Sequence, residues 1–509
     1  MDFVDRLQRA GVRLWVDEGR LRVRTTHGDL RSEDLSSLRL LKTRIATLLL
    51  DLQSDQLTPG QTAARSINMA PLTYRQESLW KLMKIDRTGA SRLVNSMLRL
   101  KGQFDLEALE KSFRTVIGRH EALRTTIIER TGQPFQSIAP RAVFSLEVVH
   151  LPSTPNECGC DIRDVQNILH SFVTTALKIP GEPLFQGKLV SLSREESVLA
   201  VVAHHLITDA ISMALFWSEL WHLYPEFAHG AAPDLPKVEM QCGDYAIWQR
   251  SEYFPWKADY WQSPTNDIPR ILFPSDYPTP RSRTGIGAFE TLTLTPLSTQ
   301  SLHDLASRQN VTLGMVVLTL YAALVIHECR QYEFVLPFQV SGRLYPHHIN
   351  MMGYFAHPLL LRIRATATDS FAQLLTRVSE EFLQAQGHSD CGKLLALTPD
   401  LFSGGLFQWS SYMDFVGDQS LNDIRNEAGG AFTAEPFQLA FDIEKSTELV
   451  EQDIMLSLFE SKTGIGGFAA YREDLFTRNT VRQIFSRFES LCEFSNKHTH
   501  DPLSTFRPH

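Results

Sequence analysis

Long basic runs, membrane-length apolar runs and ordered cysteine pairs are all missing from this sequence of 509 residues. The formal net charge of -8 is mild, so nucleic-acid binding through bulk positive charge is not expected. No apolar stretch is long enough to span a bilayer, and the first residues do not have the pattern of a signal peptide. An apolar fraction of 43% with 21% charged residues predicts a soluble globular protein.

The six cysteines are scattered and do not form the pattern of a disulfide framework. Cys158 and Cys160 are the only close pair, and no second pair with zinc-ligand spacing lies nearby. This usage predicts a reduced, cytoplasmic protein without a structural metal. A covalent acyl-enzyme is also not indicated, because the sequence lacks a Gly-x-Ser-x-Gly elbow and no cysteine has a recognisable catalytic setting.

The most informative segment is residues 204–210, His-His-Leu-Ile-Thr-Asp-Ala. An apolar run before it predicts a buried strand, and residues 210–220 after it predict a helix. Imidazole has a proton affinity near neutral pH, so a histidine held at a strand end is suited to proton transfer. If the strand continues, His204 and His205 point to opposite faces, and only one of them faces a reaction. A metal pair and two packed core histidines are the alternatives.

This arrangement resembles the HHxxxDG signature of an acyltransferase superfamily. Its members include chloramphenicol acetyltransferase and the condensation domains of nonribosomal peptide synthetases. The resemblance implies that His205 is the catalytic residue, acting as a general base or as a positioner of the attacking amine, and that His204 is structural. Ala210 stands where the family usually has Gly, which narrows the start of the following helix by one methyl group.

Further segments resemble condensation domains in the family's order, between about residue 69 and about residue 495. They are 71–80, 119–125, 242–248, 334–343, 352–359 and 470–476. The resemblance implies that Arg124 forms an ion pair with Asp209 and braces the loop that carries His205. Asp209 is then a scaffold residue and not a proton acceptor.

The same resemblance assigns residues to a substrate channel. They are Ser341, Gly353, Phe355 and His357. His357 replaces the asparagine that is usual in the family. Of a later HQDxPF segment only His388 and Asp390 remain, and these departures leave the acceptor side and the substrate preference open.

The chain is long enough for two or three domains. The resemblance implies an α/β fold with two chloramphenicol-acetyltransferase-like lobes in a V around a central tunnel, preceded by a small α/β domain. The predicted boundaries are 1–52 for a docking domain, 53–68 for a linker, 69–235 for the N-terminal lobe and 236–509 for the C-terminal lobe. A segment rich in turn residues, 230–236, sets the boundary between the lobes.

The first 52 residues have the pattern helix, hairpin, helix. Two alternating segments flank Asp17-Glu18-Gly19, which predicts a β-hairpin. This order resembles tubulysin-type docking domains, which are often homodimers and capture the C-terminal tail of an upstream synthetase subunit. Arg20, Arg22 and Arg24 share one face of the second strand, where an acidic tail can pair with the strand edge and neutralise them. The alternative is a solvated basic face.

The implied activity is amide-bond formation. A donor acyl or peptidyl group on one carrier protein passes to the amine of an aminoacyl group on another. The phosphopantetheine arms belong to these substrates, so no bound cofactor is expected. The expected partners are the upstream and downstream carrier proteins, the tail of an upstream subunit, and an adenylation domain in the same full-length chain.

Four alternatives stay open. A starter condensation domain takes its acyl group from coenzyme A. An epimerase relative shares the double histidine, and a heterocyclising relative usually replaces the histidines with acids. An inactive platform recruits another enzyme and performs no transfer.

Overall fold

A computed structural model describes most of the chain after residue 67 and a short part before it. The described residues are 12–17, 20–25, 68–85, 93–151, 162–175, 177, 182–251, 269–278, 287–343, 348–389, 404–410, 432–436, 452–461 and 464–507. For 12–17 and 20–25 the description is limited to the backbone. Most of the predicted linker, the helices predicted on either side of the hairpin, and Cys158, Cys160 and Asp390 lie outside the described residues.

The described strands, in chain order, are β1 (Val12–Asp17), β2 (Arg20–Thr25), β3 (Met69–Pro71), β4 (Leu93–Gly102), β5 (Thr125–Arg130), β6 (Gln133–Ile138), β7 (Glu147–His150), β8 (Phe185–Ser193), β9 (Glu196–His204), β10 (Gly287–Thr293), β11 (Glu333–Val340), β12 (His357–Arg364), β13 (Gly405–Ser410), β14 (Phe432–Pro436), β15 (Ile454–Ser461) and β16 (Gly464–Arg472). The described α-helices are α1 (Tyr74–Ile85), α2 (Leu106–Arg119), α3 (Ile162–Thr175), α4 (Ala210–Ala228), α5 (Cys242–Ser251), α6 (Pro296–Gln309), α7 (Leu313–Cys329), α8 (Phe371–Gly387) and α9 (Arg478–Lys497). Two short 3-10 helices are Glu121–Arg124 and Leu503–Thr505.

The predicted hairpin near the N-terminus is confirmed. Strands β1 and β2 pair antiparallel, with Trp15 opposite Arg22 and Asp17 opposite Arg20. The three arginines of β2 occupy alternate positions of the strand, as the sequence predicts.

A five-stranded sheet of order β14-β4-β9-β8-β7 holds the strand that leads to the histidine motif. Central strand β9 is buried on both faces, which explains why its sequence is continuously apolar. Val198, Ala200 and Val202 pack in the cluster that contains α3, while Leu199 and Val201 pack in the cluster that contains α2 and α4. This double burial anchors the end of β9 firmly.

A six-stranded sheet of order β10-β16-β15-β13-β11-β12 forms the second large layer, and α6 to α9 contribute to its core. Helix α7 is buried from Val316 to Ile326. Within the described residues no single helix meets the length and composition of a membrane span, and the pair α6 and α7 does so only across a bend of 109°.

The predicted boundary at residues 235 and 236 does not divide the two sheets cleanly. Strand β14, far downstream, adds to the edge of the five-stranded sheet by pairing with β4. Phe432 of β14 is buried against Trp221 and Tyr224 of α4. Helix α5 also packs in the hydrophobic cluster that contains α2 and α4, through Cys242 and Tyr245. After the turn-rich segment 230–236, the chain therefore returns to the five-stranded sheet.

Candidate active site

His205 lies in the turn between β9 and α4 and is half-buried. Strand β9 ends at His204, so the strand does not continue through His205 and the alternation of strand faces does not apply to that residue. Nδ1 of His205 lies 3.1 Å from the carbonyl oxygen of Thr208. A carbonyl only accepts hydrogen bonds, so Nδ1 is the protonated nitrogen in this contact. In the neutral ring Nε2 then carries the lone pair, which is the form that can accept a proton.

His204 has a different environment, because its side chain is only 2% exposed. Its Nδ1 lies 3.0 Å from the backbone N–H of Leu206 and accepts from it. The carbonyl of His204 also accepts from the N–H of Ile207, at 2.9 Å. His204 therefore stabilises the turn that carries His205.

Gln76 of α1 holds the same turn from the other side. Its side-chain nitrogen donates to the carbonyl of Leu206 at 2.7 Å, and its side-chain oxygen accepts from the N–H of Thr73 at 2.8 Å. Gln76 is fully buried. The sequence identified its segment only by resemblance and did not assign it this role.

Asp209 is the N-cap of α4 and accepts from the N–H of Ser212 at 2.9 Å. Its carboxylate also binds Arg343 in a bidentate pair, with both nitrogen–oxygen distances at 2.9 Å. It also accepts from the backbone N–H groups of Phe355 and Ala356, at 3.1 and 3.2 Å, and lies 2.9 Å from the hydroxyl of Ser212. The contacts of this carboxylate all hold the fold together, as expected if Asp209 is a scaffold residue.

The predicted ion pair between Asp209 and Arg124 is wrong. Arg124 donates to the carbonyl of Ala139 and lies 3.6 Å from the carboxylate of Glu121. Arg343 takes its place, because the turn after β11 brings its guanidinium to the N-terminus of α4. Arg343 belongs to a segment that resembles the family, but spacing along the chain does not reveal a partner 134 positions away.

Burial of Asp209 acts to raise its pKa, but the charge and hydrogen bonds of Arg343 and the backbone donors outweigh burial and lower it below its usual value. The carboxylate therefore stays ionised. Arg343 is itself only 4% exposed, so the two charges neutralise each other in a desolvated place.

The segment from Gly353 to His357 closes over this pair. The hydroxyl of Ser212 accepts from the N–H of Gly353 at 3.0 Å, and its single proton can donate either to the carbonyl of Gly353 or to the carboxylate of Asp209, both at 2.9 Å. Phe355 is 4% exposed, with its ring under the guanidinium of Arg343. Nδ1 of His357 lies 2.9 Å from the carbonyl of Phe355.

The residues assigned to a channel are therefore mostly structural neighbours of the Asp209 pair. Gly353, Phe355 and His357 are buried, and Ser341 is half-buried. Ala210, which stands where the family usually has Gly, is exposed. Lining of a channel by these residues stays a prediction.

Gly342 makes the turn that delivers Arg343. Its φ is +68°, and a Cβ atom there would lie 2.1 Å from the carbonyl oxygen of Phe355. We expect Gly342→Ala to destabilise the fold by more than the roughly 1–2 kcal/mol that the left-handed conformation alone costs a side chain. Urea denaturation measures the difference. Gly230→Ala is the matched control, because Gly230 has φ +73° but open space around it. Equal losses in both variants would contradict the close approach.

A metal ion has no evident ligands here. Among the residues that the structure describes, no group of three or more His, Cys, Asp or Glu side chains is placed to hold one. The sulfur of Cys242 lies 3.8 Å from the side-chain nitrogen of Gln76, and burial raises the pKa of this thiol to about 12, so it is held as a neutral thiol.

Comparison with known proteins gives two family matches. The model of the condensation domain matches residues 66–507, and that of the TubC N-terminal docking domain matches residues 1–50. Malpinin synthetase of Mortierella alpina is 28% identical over 432 residues, which are 82% of this chain and 5% of that protein. Bacitracin synthase 3 of Bacillus licheniformis is 27% identical over 438 residues, which are 84% of this chain and 6% of that protein. The chain thus spans a small fraction of the length of these relatives.

Two solved structures are similar in fold. The X-domain from teicoplanin biosynthesis has a TM-score of 0.72 at 22% identity, over 87% of this chain and 98% of the X-domain. The condensation domain from the Monacolin K polyketide synthase MokA has a TM-score of 0.70 at 17% identity, over 87% and 99%. At these identities the likeness concerns the fold alone, and it confirms the predicted α/β class.

Proposed function

Because the chain belongs to the condensation-domain family of nonribosomal peptide synthetases, we propose that it transfers an acyl or peptidyl donor between carrier proteins and forms an amide. The donor is a thioester on the phosphopantetheine arm of an upstream carrier. The acceptor is the amine of an aminoacyl thioester on a downstream carrier. The chain itself supplies no covalent intermediate and no bound cofactor.

The observation that carries this proposal is the geometry of His205. Its Nδ1 donates to the carbonyl of Thr208, so Nε2 carries the lone pair of the neutral ring and can accept a proton. The turn that holds the ring is braced by Gln76, by His204 and by the N-cap at Asp209. An imidazole fixed in one tautomer matches the need of aminolysis, in which the attacking amine must lose a proton.

The proposed reaction is aminolysis of the donor thioester. The amine nitrogen attacks the thioester carbonyl and forms the carbon–nitrogen bond, while Nε2 of His205 takes a proton from that nitrogen. The carbon–sulfur bond then breaks, and the thiolate of the donor arm leaves and takes up the proton held on Nε2, which returns His205 to its neutral form. Asp209 takes no proton at any step of this reaction, because it remains paired with Arg343.

The hairpin of β1 and β2 supports a second part of the proposal, which is docking of an upstream subunit through its C-terminal tail. The three arginines at alternate positions of β2 provide positive charge along one strand. An extended acidic tail can add to the edge of this strand. The partner is a carrier protein whose subunit ends in such a tail, and a homodimer through this domain belongs to the same proposal.

Intact-mass spectrometry of two carriers tests the proposed function. The acceptor carrier is loaded with an amino acid, and the donor acyl group is supplied either on a carrier or on coenzyme A. We expect the acceptor to gain the acyl mass when the donor is on a carrier. Transfer from coenzyme A alone would replace the proposal with the starter activity. No transfer across a broad panel of donors and acceptors would favour the recruitment platform.

The docking part has its own test. We expect the variant with Arg20→Glu, Arg22→Glu and Arg24→Glu to slow transfer from a carrier that bears an acidic tail by about tenfold or more at low concentration, because the tail no longer raises the local concentration. Transfer from the same carrier without its tail is the control and should be unchanged. An equal effect on both carriers would contradict docking through these arginines.

A further inference from the structure

The ring of Tyr354 lies against the proposed catalytic residue. Its centroid is 5.2 Å from that of the His205 imidazole, with a tilt of 45° between the rings. Tyr354 is 8% exposed, so its ring is enclosed. An aromatic ring in this place restricts the rotation of the imidazole.

Arg75 of α1 contacts the same ring. Its guanidinium carbon lies 4.8 Å from the centroid of Tyr354, within the range of a cation–π interaction. Its Nε also donates to the carbonyl of Ala356 at 3.0 Å. Arg75 therefore fixes both the ring of Tyr354 and the backbone two residues further along.

The backbone around Tyr354 is held on both sides. The N–H of Gly353 donates to the hydroxyl of Ser212, and the N–H groups of Phe355 and Ala356 donate to Asp209. A side chain between two such fixed points has little freedom to move as a whole. The position of the Tyr354 ring is thus determined by α1, by the N-terminus of α4 and by the backbone that Asp209 binds.

We propose that Tyr354 and Arg75 are positioning residues for His205. Tyr354 packs against the imidazole and keeps Nδ1 on the carbonyl of Thr208, and Arg75 acts through Tyr354 by holding its ring. The proposal rests on the function proposed above. It deepens that function by adding two residues from separate parts of the chain that set the orientation of the reacting histidine.

Steady-state kinetics over a range of carrier concentrations, which gives kcat and KM separately, tests the proposal. We expect Tyr354→Leu to lower kcat by about 10²-fold, since misplacement of a catalytic group by about 1 Å has effects of that size, while KM changes little. Tyr354→Phe keeps the ring and should retain kcat within about twofold. A merely structural role for Tyr354 would not separate kcat from KM in this way, and a role that depends on the phenolic hydroxyl would not be rescued by the phenylalanine.

Arg75→Gln tests the second residue. We expect it to lower kcat in the otherwise normal chain and to have no further effect when Tyr354→Leu is already present, because residues that act through one another are not additive. Additive effects of the two variants would overturn the route through Tyr354.

Arg250→Gln is the matched control. Like Arg75, Arg250 donates from Nε to a backbone carbonyl, that of Leu72, and lies 4.9 Å from a tyrosine ring, that of Tyr74. We expect Arg250→Gln to leave kcat unchanged. A loss equal to that of Arg75→Gln would mean that any such arginine of this region matters in the same way, which would overturn the proposal.

NMR of the His205 ring nitrogens in the free chain separates this proposal from the proposed function. In the wild type we expect Nε2 to have the shift of an unprotonated nitrogen at high pH, and in Tyr354→Leu we expect a mixture of tautomers. This readout needs no transfer activity. If the wild type transfers nothing, the proposed function fails while the ring shifts still decide the role of Tyr354. Unchanged shifts together with unchanged kcat in Tyr354→Leu would overturn the positioning role.

Discussion

Replacing His205 with alanine is expected to lower kcat for amide formation by about 10²–10⁴-fold, the range in which positioned acid–base groups contribute. The reason is that Nε2 carries the lone pair that takes the proton of the amine, since Nδ1 donates to Thr208. Half-burial of the side chain and its place in a turn predict that the fold tolerates the change. Transfer kinetics and thermal unfolding of the same variant measure both expectations.

His205→Gln separates a base from a positioner. A glutamine can still accept a hydrogen bond from the amine, but it cannot take a proton near neutral pH. Activity close to that of the wild type would assign a positioning role to His205, and activity as low as that of His205→Ala would assign the base. His388→Ala is the control, because His388 ends α8 and is bound to the carbonyl of Gln384. We expect this control to transfer at the normal rate.

Asp209→Ala is expected to destabilise the chain by about 3–5 kcal/mol, the cost of leaving one member of a buried ion pair without its partner. Arg343 would remain 4% exposed with no carboxylate, and α4 would lose its N-cap. The free energy of unfolding in urea measures the loss. Combining Asp209→Ala with Arg343→Leu should recover part of it, because both buried charges are then gone.

Arg124→Ala is the comparison for the stability cost of breaking the Asp209–Arg343 pair. Its contacts are the carbonyl of Ala139 and the carboxylate of Glu121, so Arg124→Ala should cost only about 1 kcal/mol. Its effect should add to that of Asp209→Ala, since the two residues share no partner. Strong coupling between Arg124 and Asp209 would contradict the pairing of Asp209 with Arg343.

The same pair sets a dependence of stability on pH. The pKa of Asp209 is lowered in the fold, because Arg343 and the backbone donors outweigh burial. A carboxylate whose pKa is lower in the folded chain contributes fully above its unfolded pKa of about 3.9 and loses that contribution as the pH falls through the folded value. Wild-type stability should therefore fall more steeply below about pH 4 than that of Asp209→Ala.

Apolar runs and their periodicity predicted the elements around the site. The apolar run before His204 is strand β9, and the helix begins at Ala210 with Asp209 as its cap. The hairpin of β1 and β2 was predicted from alternation around a turn. These features depend on residues that are neighbours in the sequence, so the sequence pattern alone predicts them.

Contacts between segments that are far apart in the sequence were predicted less well, because no local pattern encodes them. The turn at Gly342 decides the partner of Asp209, because it places the guanidinium of Arg343 there, whereas the family resemblance had assigned Arg124. The return of β14 to the first sheet is likewise a long-range pairing with no local pattern. Gln76, Ser212 and Tyr354 act through backbone atoms or ring contacts of distant segments, which composition and spacing do not report.

The most direct measurement of the proposed activity is the mass of the acceptor carrier after a single turnover. The donor carrier, the acceptor carrier and the chain are mixed in equal amounts, with His205→Ala run in parallel. We expect the acceptor to gain the acyl group as the donor loses it, with an amide that survives cleavage of the thioester, and His205→Ala to leave both masses unchanged in that time. Equal transfer by the wild type and His205→Ala would contradict catalysis at His205.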